Sequence, residues 1–256
     1  MTKKHDIIWL DKVDSTNEEA LRRISSLDNL SVLSAYEQTA GRGQRGNRWA
    51  SDAGENLTFS IVIKFSEKET GNPSLRAIDQ FVLNALTSLS VRDFLSSHGI
   101  CADIKWPNDI YVSDKKICGI LIENAVRGNM LSRSIAGIGL NINQKTFDPE
   151  LPNPVSMTQC TGMTYSQESL LEEFMDIFKE YCMCYLNADG DHSELKEKYT
   201  TGLWRKDIQA GFIEMKSGRK FTGIIRGLSD IGLLMVEDTE KGELTEFAFK
   251  DISYIL

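Results

Sequence analysis

The chain has 256 residues, of which 41% are hydrophobic and 26% are charged, which is typical of a globular protein with one large domain or a large and a small one. Its formal net charge of −8 argues against a general affinity for nucleic acid, because such binding needs a basic face. The five cysteines form no CxxC pair or Cys/His cluster, so we expect reduced thiols in a cytoplasmic protein, with neither a disulfide framework nor a zinc site. No apolar run is long enough to span a membrane, so we expect no membrane partner.

The first part of the chain alternates between predicted strands and a short helix. Residues 6–13 and 31–37 read as short strands, and residues 56–65 alternate in hydropathy as a half-buried strand does. Between the first two strands, Ser15 and Glu18 have the spacing of a capping box, which predicts the start of a helix.

A glycine- and arginine-rich loop follows the second predicted strand. Residues 40–50, AGRGQRGNRWA, hold three glycines, three arginines and one tryptophan. The glycines permit positive φ and close approach to a ligand, and the arginines can donate two hydrogen bonds to a carboxylate or phosphate. The loop is not a P-loop, and a strand rather than a helix follows it, so it is not a Rossmann turn either. We predict an anion site; the alternative, a solvated turn, leaves Trp49 unexplained.

The middle of the chain predicts one long helix and a strand-rich block. The helix begins at Asn72-Pro73 and extends to His98, with Gly99 after it. The block contains four predicted strands, at residues 102–106, 110–112, 116–124 and 131–142. Turn-forming residues separate them, which favours a mixed, mostly antiparallel sheet.

The last part of the chain predicts two helices and then a small β-rich module. The helices are expected at residues 167–186 and 193–200, and residues 144–154 form a proline-containing loop before them. Four short strands at close spacing follow, at residues 211–215, 220–227, 232–236 and 245–249. This pattern predicts a small SH3-like β-barrel, so we divide the chain into residues 1–204 and 205–256.

Three further motifs carry residue types suited to chemistry. Residues 14–17, DSTN, stand at a strand-to-helix junction, where they form either a polar pocket floor or an ordinary helix N-cap. Lys105 and Asp109 of KWPND, with Lys116 of KKICGIL, could hold a phosphate and a metal or amine, or could pair on a surface hairpin. Residues 137–143, GIGLNIN, place glycines in a strand, which indicates a ligand or another backbone packed against it, or a β-bulge.

Taken in this order and spacing, DSTN, GRGxxGxxW, KWPNDxY with KxxGIL, and GxGxNxN resemble the biotin–protein ligase family. The resemblance covers residues 6–186, and the C-terminal module matches the family too. It implies an α+β fold of the class II synthetase and biotin-ligase type: a mixed, mostly antiparallel sheet with packed helices, followed by a small SH3-like β-barrel. Because the first predicted strand begins at residue 6, we expect a monofunctional ligase without the DNA-binding domain of some members.

The resemblance also implies a reaction in two steps. The biotin carboxylate attacks the α-phosphate of ATP, giving biotinyl-5′-AMP and pyrophosphate, and a lysine of a biotin carboxyl carrier protein then attacks the mixed anhydride and releases AMP. The expected carrier is a subunit of acetyl-CoA carboxylase or a similar enzyme, and Mg²⁺ is expected with ATP. Family members can pair edge to edge through their sheets, which leaves a homodimer open.

The family's site residues transfer to matching positions of this chain. Catalytic roles are implied for Lys116, Arg42, Lys105 and Asp109. Biotin contacts are implied for Ser15, Thr16, Asn17, Gln38, Gly41, Arg42, Gly43, Gln44 and Gly119. Nucleotide contacts are implied for Trp49, Arg45, Asn108, Lys116 and Asn141. The role of Asp109 stays open between a metal contact and orienting or deprotonating the incoming lysine.

The loop departs from the family pattern at Gln44 and Asn47, where many members carry arginine. We therefore expect weaker retention of biotinyl-5′-AMP, and we predict that residues 144–154 close over the nucleotide. Three rival functions are a lipoate ligase of the same superfamily, a non-catalytic nucleotide- or DNA-binding regulator, and an SH3-like adaptor. The regulator should carry a basic helix-turn-helix or a broken lysine constellation, neither of which is present, and the adaptor leaves most of the chain without a role.

Overall fold

The structure is a computed structural model that describes residues 5–65, 72–186 and 190–255. Seven strands form its larger sheet: β1 (Ile7–Val13), β2 (Val32–Gln38), β3 (Leu57–Lys64), β4 (Asp103–Lys105), β5 (Asp109–Val112), β6 (Lys115–Arg127) and β7 (Met130–Leu140). Their order is β1-β2-β3-β7-β6-β5-β4. Only the β1–β2 pair is parallel among these pairings, which confirms the mixed, mostly antiparallel sheet.

Helices cover both faces of this sheet. The helices are α1 (Thr16–Arg22), α2 (Phe81–Ser97), α3 (Met157–Thr161), α4 (Gln167–Tyr185) and α5 (Ser193–Thr201). α2 and α4 pack on one face, where Phe174 meets Phe59 of β3 edge-on at 5.3 Å and Phe94 of α2 at 5.9 Å. α1 covers part of the opposite face and buries Ala20 in a smaller apolar cluster with Val62 of β3.

Residue alternation in β3, β6 and β7 separates a core face from a site face. Ile138 and Leu140 of β7 join the main hydrophobic core. Gly137 and Gly139 lie on the opposite face, the site face, because successive strand residues face opposite sides of a sheet. Gly139 lies directly across from Gly119 of β6. The site face therefore contains glycines at neighbouring positions, where most strands carry side chains.

The C-terminal strands form a second, antiparallel sheet. They are β8 (Gln209–Glu214), β9 (Lys220–Leu228), β10 (Leu234–Asp238), β11 (Glu243–Phe247) and β12 (Ile252–Ile255), in the order β11-β10-β9-β8-β12. The C-terminal strands are thus confirmed as a second antiparallel sheet, but β11 and β12 are its two edges, so the predicted closed barrel is not formed in the described part of the chain. The division at residues 204 and 205 stays a prediction.

Several local predictions need correction. The long helix begins at Phe81 rather than at Asn72-Pro73, because residues before it extend along the sheet, where Leu131 N donates to Leu75 O at 2.9 Å. Ser15 is the N-cap of α1, but its side chain makes no cap hydrogen bond, so the predicted capping box with Glu18 does not form. Sequence patterns also missed α3 and β12. Within the described ranges, we find no helix long and apolar enough to cross a membrane.

Candidate active site

A cavity of about 360 Å³ brings together most of the predicted site residues. Its walls are the glycine–arginine loop, the start of α1, the turn between β4 and β5, the site face of β6 and β7, and β12. The predicted residues that line it are Ser15, Thr16, Asn17, Gln38, Arg42, Gly43, Gln44, Trp49, Lys105, Asn108, Asp109, Lys116 and Gly119. Gly41 and Asn141 are not among the lining residues, and the side chain of Arg45 lies outside the described part of the structure.

The glycine–arginine loop folds back on itself at the cavity mouth. Trp49 N donates to Gly41 O at 3.0 Å, and Gly43 N donates to Asn47 O at 2.7 Å around a 3₁₀ turn at Gln44–Gly46. Of the three glycines, only Gly46 takes a positive φ, of 80°. Gly41 is needed for space instead, since a Cβ there would overlap the Trp49 carbonyl.

Arg42 is held at the rim by two carboxylates. Its guanidinium pairs with Glu18 of α1 and, at 2.9 Å, with Glu123 Oε1 of β6. Glu123 Oε2 also accepts from Asn17 Nδ2 at 2.8 Å. Glu18 and Glu123 thus tie the loop to the start of α1 and to the sheet, and neither was predicted for this role.

Polar side chains at the start of α1 are fixed by their neighbours. Thr16 N donates to Gln38 Oε1 at 2.8 Å, and Ser60 Oγ lies 2.7 Å from Thr16 Oγ1 and 2.6 Å from Asn17 Oδ1. Asp14, the first residue of the motif, accepts two bonds from Arg22, which lower the pKa of its carboxyl to about 2. DSTN is therefore both a helix start and a rigid polar wall.

Trp49 lies across the glycines of the site face. A Cβ at Gly139 would overlap its indole, and one at Gly119 would stand 3.0 Å from Trp49 Cζ3. The sequence predicted a ligand or another backbone at residues 137–143; the structure instead places the side chains of Trp49 and, at Gly137, Asn17 there. Trp49 Nε1 and Gln44 Oε1 are buried with no hydrogen-bond partner in the described structure, which marks two polar atoms that a ligand could satisfy.

The KWPND turn is held by hydrogen bonds with three other parts of the chain. Pro107 O accepts from Asn84 Nδ2 of α2 at 2.5 Å and from Tyr199 Oη of α5 at 2.6 Å. Trp106 Nε1 donates to Gly232 O, before β10, at 3.1 Å. The Trp106–Pro107 peptide is cis. These contacts fix the turn from which Asn108 and Asp109 enter the cavity wall.

The three charged residues of this region meet as the sequence predicted. Lys116 Nζ lies 2.7 Å from Asp109 Oδ1 and 5.8 Å from the centre of the Trp49 ring. Lys105 is more enclosed, and its burial lowers the pKa of its ammonium group below the usual value, with Lys116 and Arg205 adding repulsion. The cavity therefore combines two cations, one carboxylate and a cationic loop, which suits a substrate with several negative charges.

The model of the biotin/lipoate A/B protein ligase family matches residues 9–141, which is more than half of the chain. The chain belongs to this family. The ligase is 31% identical over 234 residues to the biotin–[acetyl-CoA-carboxylase] ligase of Paracoccus denitrificans, covering 89% of this chain and 92% of that one. It is 28% identical over 240 residues to the bifunctional ligase/repressor BirA of Bacillus spizizenii, covering 91% of this chain and 70% of that one.

A solved structure of the same kind spans nearly the whole ligase. The biotin protein ligase of Aquifex aeolicus in complex with biotin and ATP matches with a TM-score of 0.77 and 27% identity, over 99% of each chain. These matches confirm the resemblance to biotin–protein ligases and the prediction of an enzyme.

Two of the ligase's predicted nucleotide contacts have other partners in this structure. Asn141 Nδ2 donates to Val155 O at 3.0 Å, which joins β7 to the segment leading into α3. Asn108 Nδ2 donates to Ile120 O, so its side chain ties the KWPND turn to β6. The loop at residues 144–154 is likewise absent from the described cavity lining. Closure of that loop over a nucleotide stays a prediction.

Sequence reasoning missed the contribution of the second sheet to the ligase's cavity. The lining residues from this part of the chain are Phe249, Ile252, Ser253 and Tyr254. A short final strand with alternating apolar residues was the available signal, but its closeness to the cavity depends on how the two sheets pack.

The described residues of the ligase contain no group of three or more His, Cys, Asp or Glu side chains arranged to hold a metal ion. Asp109 is the carboxylate on the cavity wall, and it is paired with Lys116. The cavity wall therefore offers a divalent ion one carboxylate, not a cluster of three ligands, within the described residues.

Proposed function

We propose that this ligase activates biotin with ATP as biotinyl-5′-AMP and then transfers biotin to a lysine of a biotin carboxyl carrier protein. The observation that carries the proposal is the meeting of Lys116, Asp109, Lys105 and the glycine–arginine loop around one cavity. The complex of the Aquifex aeolicus relative with biotin and ATP supports the same pair of substrates.

In the first step, a biotin carboxylate oxygen attacks the α-phosphorus of ATP, and the bond to pyrophosphate breaks. A carboxylate is already nucleophilic, so the main barrier is bringing two anions together. Lys116 and Lys105 reduce this repulsion, with Lys116 between the carboxylate and the α-phosphate and Lys105 on the phosphates. ATP is proposed to enter as its Mg²⁺ complex.

In the second step, the ammonium group of the carrier lysine loses one proton, and the neutral amine attacks the carbonyl carbon of the mixed anhydride. The bond to AMP breaks, AMP leaves, and the second proton of the nitrogen passes to solvent. Lys116 holds Asp109 in the free structure. When Lys116 turns to the adenylate, Asp109 becomes free to accept a hydrogen bond from the incoming ammonium group and then its proton. We therefore favour orientation and deprotonation over a metal contact for Asp109.

Ser15, Thr16, Asn17 and Gln38 are proposed to form the biotin wall, and Trp49 the nucleotide side. The internal bonds of Asn17 and Thr16 support this assignment, since a wall fixed before binding loses little entropy on binding. The unpartnered Trp49 Nε1 and Gln44 Oε1 supply polar atoms for the substrate. A carrier from acetyl-CoA carboxylase is the first to test, given the Paracoccus denitrificans relative.

The experiment is transfer of radiolabelled biotin to an apo carrier domain with ATP and Mg²⁺. The wild-type ligase should label the carrier, and Lys116→Met should lower the rate by about 10²–10³-fold, the scale for losing one stabilising group at a developing charge. Lys115→Met is the matched control, because Lys115 is exposed on the same strand and does not line the cavity. Its rate should stay unchanged.

Replacing biotin with lipoate in a pyrophosphate-exchange assay distinguishes a biotin ligase from the main rival, a lipoate ligase. Pyrophosphate exchange that depends on biotin and not on lipoate supports the proposal. Preference for lipoate, or a Lys116→Met variant as active as Lys115→Met, would overturn it.

A further inference from the structure

The ammonium group of Lys105 is surrounded by three aromatic rings. Its Nζ lies 4.7 Å from the ring centre of Tyr111, 5.1 Å from that of Tyr254 and 5.7 Å from that of Trp204. It also donates to Tyr111 Oη at 2.9 Å. The distances to Tyr254 and Trp204 lie within the range in which a cation is attracted to an aromatic ring, whereas Tyr111 meets the ammonium group through its hydroxyl. We call Tyr111, Trp204 and Tyr254 the lysine cage.

The lysine cage is assembled from distant parts of the chain. Tyr111 lies on β5, beside Lys105 in the larger sheet, whereas Trp204 follows α5 and Tyr254 lies on β12 of the second sheet. Trp204 is fixed by a bond from its Nε1 to Ser113 O at 2.7 Å. Tyr254 packs 5.6 Å from Trp204 and 5.3 Å from Phe212. The second sheet therefore reaches into the cavity through one ring of this cage.

The hydroxyl of Tyr254 does not explain its position. Tyr254 Oη is buried and has no hydrogen-bond partner in the described structure. What Tyr254 offers to Lys105 is its ring, which a phenylalanine would keep and a leucine would remove. This difference makes the contribution of the ring separable from that of the hydroxyl.

The charged groups facing Lys105 explain why such a cage matters. Asp109 attracts the ammonium group, while Lys116 and Arg205 repel it. A lysine side chain has four flexible methylene groups and a strongly hydrated charge. Rings that replace part of its water shell and restrict its rotamers leave a cation that is already positioned and partly dehydrated when an anion arrives.

We propose that Trp204 and Tyr254 are positioning residues that hold Lys105 for the nucleotide phosphate, so that β12 of the second sheet takes part in forming the adenylate. The inference rests on the proposed function, because it takes Lys105 as a phosphate contact. The cage residues are not among the side chains proposed for the biotin wall, so loss of the cage should weaken binding of the adenylate and spare binding of biotin itself.

The test measures the dissociation constants of biotin and of biotinyl-5′-AMP for the wild-type chain, Tyr254→Leu and Tyr254→Phe. Tyr254→Leu should weaken the binding of biotinyl-5′-AMP by about tenfold, which is the scale of a desolvated cation–π contact, and should leave the binding of biotin unchanged. Tyr254→Phe keeps the ring, so it should bind biotinyl-5′-AMP more tightly than Tyr254→Leu does. Tyr185→Leu is the matched control, because Tyr185 also faces a lysine, Lys198 at 5.9 Å, but away from the cavity.

A double-mutant cycle with Lys105→Met distinguishes positioning from general structural damage. If Tyr254 acts through Lys105, Tyr254→Leu should change biotinyl-5′-AMP affinity by less than about twofold in the Lys105→Met background. An equal loss in both backgrounds, an equal loss for Tyr254→Phe, or a parallel loss of biotin affinity would overturn the inference. If Tyr254→Leu does not fold, Trp204→Leu replaces it with the same readouts.

Failure of the inference and failure of the proposed function give different results. A wild-type chain that binds neither biotin nor biotinyl-5′-AMP contradicts the proposed function. A wild-type chain that binds both, with Tyr254→Leu unchanged, contradicts only the role of the cage.

Discussion

At the scale of single residues, the glycines of β6 and β7 contribute by having no side chain. Gly137 makes room for Asn17, and Gly119 and Gly139 make room for Trp49. The φ angle of Gly139 is not in the left-handed region, so its role is space rather than backbone freedom. Because protein interiors are closely packed, a single added methyl group at such a position must displace its neighbour.

Gly139→Ala should therefore destabilise the protein and weaken nucleotide binding. The new Cβ overlaps the Trp49 indole, and overpacking of this kind costs about 1–3 kcal/mol. Urea denaturation and biotinyl-5′-AMP affinity measure the two effects. Gly119→Ala is the graded control for stability and should lose less stability, because its Cβ would be 3.0 Å from the nearest ring atom of Trp49 rather than 2.3 Å. Equal losses of stability for the two variants would argue against overlap with Trp49 as the cause.

Gln44 is the second residue whose effect we can predict. It lines the cavity with a buried, unpartnered Oε1, at a position where the resemblance to biotin–protein ligases implies an arginine. Gln44→Arg adds a cation beside the adenylate, and a charge-assisted hydrogen bond contributes about 1.5–3 kcal/mol. We expect slower release of free biotinyl-5′-AMP in a stopped assay without carrier.

Asn129→Arg provides the control for Gln44→Arg. It adds the same charge at an exposed turn away from the cavity, and its release rate should equal that of the wild type. Identical release by Gln44→Arg and wild type would refute the hypothesis that Gln44 weakens retention.

At the scale of elements, short segments that sequence patterns missed support the site. The segment before α3 pairs with β6 around Lys116, where Lys116 N donates to Asn153 O at 2.7 Å and Val155 N donates to Lys116 O at 3.0 Å. Ser156 then begins α3 with a complete capping box to Gln159. Asn141 Nδ2 bonds to Val155 O in the same segment. The backbone of Lys116 is thus positioned by α3 as well as by the sheet.

Ser156→Ala should remove the cap of α3 and loosen this pairing. Losing a serine N-cap costs about 1 kcal/mol, measurable as a lower midpoint of urea denaturation. Ser166→Ala at the start of α4 is the matched control, because its hydroxyl accepts from Ser169 N but forms no reciprocal box. Ligation should slow in Ser156→Ala and not in Ser166→Ala; equal rates would show that α3 does not position Lys116.

At the scale of the whole molecule, local sequence patterns predicted the strands of the sheet better than they predicted contacts between residues far apart in the chain. Alternating apolar residues and turn signals located most strands, and the spacing of Lys105, Asp109 and Lys116 predicted their meeting, since adjacent strands fix it. The contacts of Trp204 and Tyr254 with Lys105 were not predictable, because they depend on how the second sheet packs against the first. The partner of Gly139 was missed for the same reason: Trp49 reaches it from a loop.

His192 makes the stability of the whole molecule depend on pH. It lies just before α5, the helix that contacts both α2 and β9, and both of its ring nitrogens are buried without a hydrogen-bond partner in the described structure. Burial lowers the pKa of its imidazole below the ordinary 6.5; Asp79 opposes this shift, and Lys196 adds to it. The unfolded chain therefore takes up a proton at a higher pH than the folded chain does.

The free energy of unfolding should accordingly fall as pH drops below about 6.5 towards the lowered pKa, because the unfolded state binds more protons in that window. His192→Leu removes the titrating group and two unpaired polar atoms at similar volume, so it should flatten this slope without lowering stability at pH 7.5. Urea denaturation from pH 7.5 to 5 measures the slope for both proteins. The two proteins differ only at residue 192, so the difference between the slopes reports the effect of His192. Superimposable slopes would mean that the imidazole reaches water or a partner when it is protonated, and α5 would then not couple pH to folding.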